Sequence, residues 1–247
     1  PHCPSFPHQP LTTVAPVNVP AAPPAQDEAT YSVTSETNLL QRVLVHTPGH
    51  EMELVSPSNR EEMLFDDILH LGHARKEHLL MCSIFEKIVG SDDAVLQIGE
   101  LLLETFEKAE AREDFVERLI QSLPEQNLAG VEDELKQLSP TELHRFAITG
   151  ETDLPVTMQP IPNLMFTRDL AAVVHDHVIL SHAATTARTR ESLVIRILLQ
   201  YHPLFAEASD NIIELPPGAT FEGGDLLVAS EDVVLIGHSE RTSFGAI

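Results

Sequence analysis

The chain has 247 residues, 43% of them hydrophobic, which is enough for a domain with a real core. Its formal net charge of −23 would repel nucleic acid and anionic lipid, whereas a small cationic substrate is compatible with this field. No apolar run approaches the ~20 residues of a membrane-spanning helix, and the two cysteines give no disulfide framework, so we expect a cytoplasmic protein without a membrane partner.

The first part of the chain, residues 1–30, holds eight of the 18 prolines and shows little hydrophobic periodicity. We predict a disordered tail or linker there. His2, Cys3 and His8 do not complete a zinc-ligand spacing, so no metal site is predicted. The folded part is expected to span residues 39–247.

Two strands and a helix are predicted before residue 100. Residues 42–46 and 94–98 have the composition of short buried strands. Between them, residues 72–89 have a helical pattern. The apolar residues spaced for one face of this helix are Leu80, Ile84, Phe85 and Ile88. Cys82 lies in the same pattern, and its expected role is that of a small buried hydrophobe.

A helical block is predicted at about residues 100–148, inserted between strands. Its apolar residues recur at helical spacing, with charged residues between them. Ser139 and Glu142 form a capping box around Pro140, which favours the first position of a helix. Gly150 is a plausible end for that helix.

The last part of the chain alternates between strand pairs and helices. Strand pairs are predicted within residues 171–180 and 224–236, each around a short polar turn. A helix at about residues 185–200 and a strand at 211–215 lie between the two pairs. A further helix is predicted to begin near Glu240.

An acid and an arginine recur on either side of these strand pairs. Asp169 precedes Arg188 by 19 positions, and Glu222 precedes Arg241 by the same interval. The spacing indicates a modular αβ array with acids and arginines gathered at one end. Carboxylates in tight loops suit a planar guanidinium, and arginines suit the carboxylate of an amino acid. The alternative is that these residues form separate surface ion pairs.

Several segments in combination resemble the arginine deiminases, in the same order and with similar spacing. The segments are residues 43–49, 56–59, 64–67, 76–78, 162–169, 222–225 and 240–242. The match runs from about residue 39 to residue 247 and leaves the Pro-rich tail outside. Motifs of other enzyme classes, such as a P-loop, a dinucleotide fingerprint or a zinc-protease motif, are absent from the sequence.

The resemblance implies an α/β fold, a five-module αβ propeller of the pentein type, represented here only in part. The helical block would be an insertion into this partial catalytic domain. The implied reaction of the full-length protein is hydrolysis of L-arginine to L-citrulline and ammonia through a cysteine-bound amidino intermediate. No metal or organic cofactor is implied.

The resemblance also assigns roles to individual residues. Asp169 and an aspartate further downstream would grip the substrate guanidinium, while Glu222 would also lie at the guanidinium and support the catalytic histidine. The residues that would bind the rest of the substrate are Asn163, Phe166, Arg188 and Arg241. Arg168 and Asp225 are expected to support these groups.

Two departures from the family pattern affect the expected activity. The family's catalytic His-x-Asp motif and late cysteine lie downstream of the Arg241 motif and are not in this sequence, and Leu170 replaces the usual proline. Cys82 cannot take the place of that cysteine. We therefore expect a fragment that is inactive by itself. Because modules of the propeller would be missing, exposed apolar faces should leave the isolated chain unstable or cause it to associate, for instance as a homo-oligomer. The alternatives are a catalytically inactive arginine-binding or regulatory homologue, an amidinotransferase and a dimethylarginine hydrolase.

Overall fold

The fold, described for residues 31–247 in a computed structural model, combines three small β-sheets with a block of helices. The predictions of a disordered tail at residues 1–30, and of no metal site at His2, Cys3 and His8, lie outside the described residues. The division of the chain into a tail and a partial catalytic domain stays a prediction.

The first sheet joins two short parallel strands. Strand β1 (Val43–Val45) lies beside β2 (Val95–Gln97), with Val43 opposite Val95. Helices α1 (His50–Glu53) and α2 (Leu71–Val89) connect them. Both strands and the long helix were predicted, and each observed strand is shorter than its prediction.

Helix α2 buries the side that carries His78 and Cys82. The apolar face recognised in the sequence points outward instead, with Leu80, Ile84 and Ile88 between 48% and 64% exposed. A periodic pattern shows that residues share a face, but it does not show which face a neighbour covers. Within residues 31–247, no helix combines the length and apolar character that a membrane span requires.

The helical block follows β2 directly. Its helices are α3 (Ile98–Thr105), α4 (Ala109–Ser122), α5 (Glu132–Lys136) and α6 (Pro140–Thr149). The predicted capping box is present, because the Ser139 hydroxyl accepts from the Glu142 N–H and the Glu142 carboxylate accepts from the Ser139 N–H. Helix α6 ends at Gly150, whose φ of 77° and close approach to the Met158 carbonyl oxygen both require glycine.

The second sheet contains a hairpin and a parallel third strand. Strands β3 (Ala171–Val174) and β4 (His177–Leu180) are antiparallel. Helix α7 (Thr189–Tyr201) then crosses to β5 (Ile212–Ile213), which lies parallel to β4. This strand–strand–helix–strand unit is the αβ module that the spacing of acids and arginines predicted.

A second hairpin repeats the beginning of that module. Strands β6 (Leu226–Ser230) and β7 (Val233–Ile236) are antiparallel, with a bulge between Val228 and Ser230. The predicted helix near Glu240 is wrong, since only a short 3-10 turn at Phe244–Ala246 follows. The α/β class is confirmed, and the second hairpin repeats the strand pair of the module without its helix.

The main hydrophobic core joins the helical block to α7 and the second sheet. Phe106, Phe115 and Phe146 are fully buried in it. Full burial of such a side chain contributes about 1.5–3 kcal/mol, so each of these aromatic residues stabilises the contact between the elements that it joins. Because α7 belongs to this core, the helical block packs against the helix that follows Arg188.

Candidate functional site

The loop between β5 and β6 approaches the loop before β3 at van der Waals distance. A Cβ atom added to Gly223 would lie 2.5 Å from the Arg168 carbonyl oxygen and 2.7 Å from that of Ala171. A Cβ atom on Gly224 would lie 2.5 Å from Asp169 Oδ1. Glycine is therefore required for this contact, which brings the two predicted acidic loops together.

Arg168 ties these two loops to an earlier segment. Its Nε donates to the Gly223 carbonyl oxygen at 3.1 Å, and its Nη2 donates to the Leu226 carbonyl oxygen. The same guanidinium forms an ion pair of 2.7 Å with Glu36, whose carboxylate also accepts from the Val228 N–H. The hydrogen bond from Arg168 holds the pKa of Glu36 below its ordinary value. The contacts fit the predicted supporting role of Arg168, which stays a prediction.

Four of the predicted residues meet in one cluster. Arg188 Nη1 lies 2.9 Å from Asp169 Oδ2 and 2.9 Å from Glu222 Oε2. Arg241 Nη1 lies 3.2 Å from Glu222 Oε2 and 3.6 Å from Asp169 Oδ1. Arg188 is buried and Glu222 is only 3% exposed, while the Arg241 side chain is 48% exposed. The alternative of separate surface ion pairs is therefore wrong.

The internal arrangement of this cluster differs from the expectation. A site for an amino acid would present acids to the guanidinium and arginines to the carboxylate, whereas here each acid contacts both arginines. At distances of about 3 Å the attraction between an acid and an arginine is strong, and this favours direct ion pairs over an arrangement in which acids and arginines lie at opposite ends of the site. Two surface cavities of the described residues lie elsewhere, one beside the start of α2 and the other beside Arg145.

Burial has the largest effect on the protonation of Glu222 and raises its pKa. The negative charge of Asp169 adds to this effect, whereas Arg188 and Arg241 act against it. A cation placed between Glu222 and Asp169 favours the ionised form of both carboxylates and reduces the repulsion between them.

A third acid, Glu191, belongs to the cluster and was missed by sequence reasoning. Its Oε2 accepts from Arg188 Nε at 2.8 Å, and the residue is 0% exposed. Burial raises its pKa to about 7. Glu191 follows Arg188 by three positions in the first turn of α7, a spacing at which side chains on a helix meet. That spacing was the available signal.

Asp225 organises the segment that carries Arg241. Its Oδ2 accepts from the hydroxyls of Ser239 at 2.6 Å and Thr242 at 2.7 Å, and its Oδ1 lies 3.6 Å from Arg241 Nη2. Burial acts to raise its pKa, but these hydrogen bonds outweigh it, and the pKa lies below the ordinary value. The carboxylate therefore stays charged at neutral pH, which fits its predicted supporting role, and that role stays a prediction.

Asn163 and Phe166 lie on the turns that lead to Asp169. The Asn163 side chain is buried and donates from Nδ2 to the Met63 carbonyl oxygen at 2.9 Å. Phe166 is 46% exposed, and its carbonyl oxygen accepts from the Asp169 N–H at 3.0 Å. Among the described residues, the Asn163 side chain has no hydrogen bond to the charged cluster, and the Phe166 side chain has no polar group that could form one. Their substrate-binding roles stay predictions.

The described thiol is not part of the cluster. Cys82 is buried on α2, with His78 Nδ1 3.5 Å from its sulfur. Burial raises the pKa of this thiol, which disfavours the nucleophilic thiolate. This fits the predicted role as a small buried hydrophobe. Across residues 31–247, no three His, Cys, Asp or Glu side chains gather in a way that could hold a metal ion.

Comparison with known proteins identifies the family. The family model described as Arginine deiminase matches residues 122–247, just over half of the chain. The chain belongs to the arginine deiminase family. This membership confirms the resemblance seen in the sequence, while the roles of individual residues stay predictions.

Individual relatives are similar over most of this chain. The arginine deiminase of Streptococcus pneumoniae is 32% identical over 241 residues, which cover 87% of this chain and 58% of that protein. That of Listeria monocytogenes is 34% identical over 243 residues, 89% of this chain and 58% of that protein. The chain thus spans about three fifths of the length of these relatives.

Among solved structures, the crystal structure of a dimethylarginine dimethylaminohydrolase adduct with 4-chloro-2-hydroxymethylpyridine aligns with a TM-score of 0.36. Its sequence identity is 13%, over 84% of this chain and 52% of that chain.

Proposed function

We propose that this chain is the arginine-recognising part of an arginine deiminase. The whole protein would convert L-arginine and water to L-citrulline and ammonia. One observation carries the proposal: two loops far apart in sequence deliver Asp169 and Glu222 to the same guanidinium nitrogen, each at 2.9 Å. In the described fold that nitrogen belongs to Arg188. Two carboxylates at this spacing grip a guanidinium, which is the chemical group of the proposed substrate.

Substrate binding in this proposal is an exchange of guanidinium groups. The guanidinium of L-arginine would enter between Asp169 and Glu222 and displace Arg188 Nη1. The freed Arg188 and the half-exposed Arg241 would then meet the substrate carboxylate, as the family resemblance implies. The ligand brings a guanidinium for the acids and a carboxylate for the arginines, and its α-ammonium adds a further positive charge that is compatible with the net charge of −23 of the chain.

The reaction needs groups that these residues do not supply. In the proposed mechanism a cysteine thiolate attacks the guanidinium carbon, ammonia leaves, and water hydrolyses the amidino intermediate. Glu222 would support the histidine that acts as general acid and base. For the chain by itself, the buried Cys82 with its raised pKa favours binding without turnover.

Calorimetric titration of the purified chain tests the proposal. L-Arginine should bind, while neutral L-citrulline should bind at least tenfold more weakly, because it lacks the cation that Asp169 and Glu222 recognise. Asp169→Asn should abolish the preference for L-arginine. The matched control is Asp153→Asn, since Asp153 forms an exposed ion pair with Arg145. Equal binding of both ligands, or an unchanged preference in Asp169→Asn, would contradict the proposal.

A further inference from the structure

The proposed function leaves one buried charged residue of the cluster without a role. Glu191 is 0% exposed and lies on α7, which belongs to the main core. Its Oε2 accepts from Arg188 Nε, while its Oε1 is buried and has no partner among the described residues. A buried carboxylate costs free energy unless an opposite charge or hydrogen bonds compensate it, and here the compensating group is Arg188.

The guanidinium of Arg188 contacts Glu191 through one nitrogen and the other two acids through another. Nε donates to Glu191, and Nη1 donates to Asp169 and Glu222. Nη2 is buried and has no partner among the described residues. A guanidinium is planar and its N–H groups point in fixed directions, so the bond at Nε constrains where both Nη groups can point.

We propose that Glu191 is the positioning residue of Arg188. It holds Arg188 at Nε while the Nη groups exchange the carboxylates of Asp169 and Glu222 for the carboxylate of an incoming amino acid. The inference rests on the proposed function in one respect only, the identity of that amino acid as L-arginine. The hold at Nε follows from the geometry of this chain.

The charges around Glu191 suit this role. Arg188 and Arg190 favour its ionised form, and Glu222 disfavours it. Arg190 is itself buried and donates from Nη2 to the Gln159 carbonyl oxygen, so it is fixed in place. Burial is the strongest influence and raises the pKa of Glu191 to about 7. The strength of the hold on Arg188 should therefore change near neutral pH.

Nitrogen NMR of arginine side chains in the full chain tests the hold directly. The Arg188 Nε–H signal, assigned by its loss in Arg188→Lys, should be shifted and protected from solvent exchange. In Glu191→Gln the signal should move and its exchange should become faster, and Glu191→Asp should recover part of the change. Glu214→Gln is the matched control, because Glu214 pairs with Arg196 on the same helix. This signal reports the hydrogen bond at Nε, and the affinity for the ligand separates a positioning role from a purely structural one.

Binding provides the second readout. Glu191→Gln should lower the affinity for L-arginine about tenfold, since a charge-assisted hydrogen bond becomes a neutral one. If the wild-type chain fails to bind L-arginine while the Nε signal still responds to Glu191→Gln, the proposed function fails and the positioning role stands. If Glu191→Gln does not fold, the wild-type Nε signal must shift with pH near 7. An Nε signal that responds neither to Glu191→Gln nor to pH overturns the inference.

Discussion

Replacing Arg188 with methionine would remove the cation that three carboxylates share. The buried guanidinium lies 2.8 Å from Glu191 and 2.9 Å from each of Asp169 and Glu222. Removing one partner of a buried ion pair costs about 3–5 kcal/mol, because the other charge stays buried without compensation. Arg241 remains 3.2 Å from Glu222, so we expect the lower end, a loss of about 3 kcal/mol in the free energy of unfolding.

Urea unfolding followed by circular dichroism measures this loss. Arg196→Met is the matched control, on helix α7, which begins just after Arg188. Its partner Glu214 is largely exposed, and such a pair is worth only about 0–1 kcal/mol. Millimolar methylguanidinium should then restore part of the stability of Arg188→Met and leave the wild type unchanged. Methylammonium should not, since it lacks the planar fork that meets two carboxylates. Equal losses in both variants, or equal recovery with both cations, would refute the reasoning.

Three further outcomes are expected. Gly223→Ala should lower the free energy of unfolding by about 1–3 kcal/mol in urea titrations, because the new Cβ meets backbone atoms. At Gly224 the new Cβ meets the Asp169 side chain instead, so Gly224→Ala should weaken arginine binding in calorimetry. Burial lowers the pKa of His78 in the folded state, so the unfolded chain binds protons more readily and stability should fall as pH drops below about 6.5, less steeply in His78→Gln. The purified chain should form no citrulline above a blank in a colorimetric assay, because the thiol of Cys82 is buried and protonated.

Local signals in the sequence predicted the helices and hairpins well. The capping box at Ser139 and the polar turns of both hairpins depend on residues only a few positions apart, so the pattern contains the relevant interactions. The predicted helix near Glu240 failed because a distant residue intervenes. Asp225 accepts hydrogen bonds from Ser239 and Thr242, which hold this segment in a turn.

The sequence predicted which charged residues cluster together better than it predicted how they pair. The recurring interval and the family resemblance brought Asp169, Glu222, Arg188 and Arg241 together, and the structure places them in contact. Their direct pairing could not be predicted, because side-chain conformations depend on contacts between separate loops. Glu191 was missed since an acid early in a helix has an ordinary explanation in the helix dipole.

The contact at Gly223 also determines how the site can move. Two main chains touch there, and Arg168 binds the carbonyl oxygens of Gly223 and Leu226 while it is itself adjacent to Asp169. A thermal displacement of one acidic loop therefore carries the other with it. The separation between Asp169 and Glu222 should fluctuate less than the position of either residue relative to the rest of the chain. The two carboxylates should therefore keep a nearly constant separation, and so a constant match to the width of a guanidinium, while the pair of loops moves as a unit.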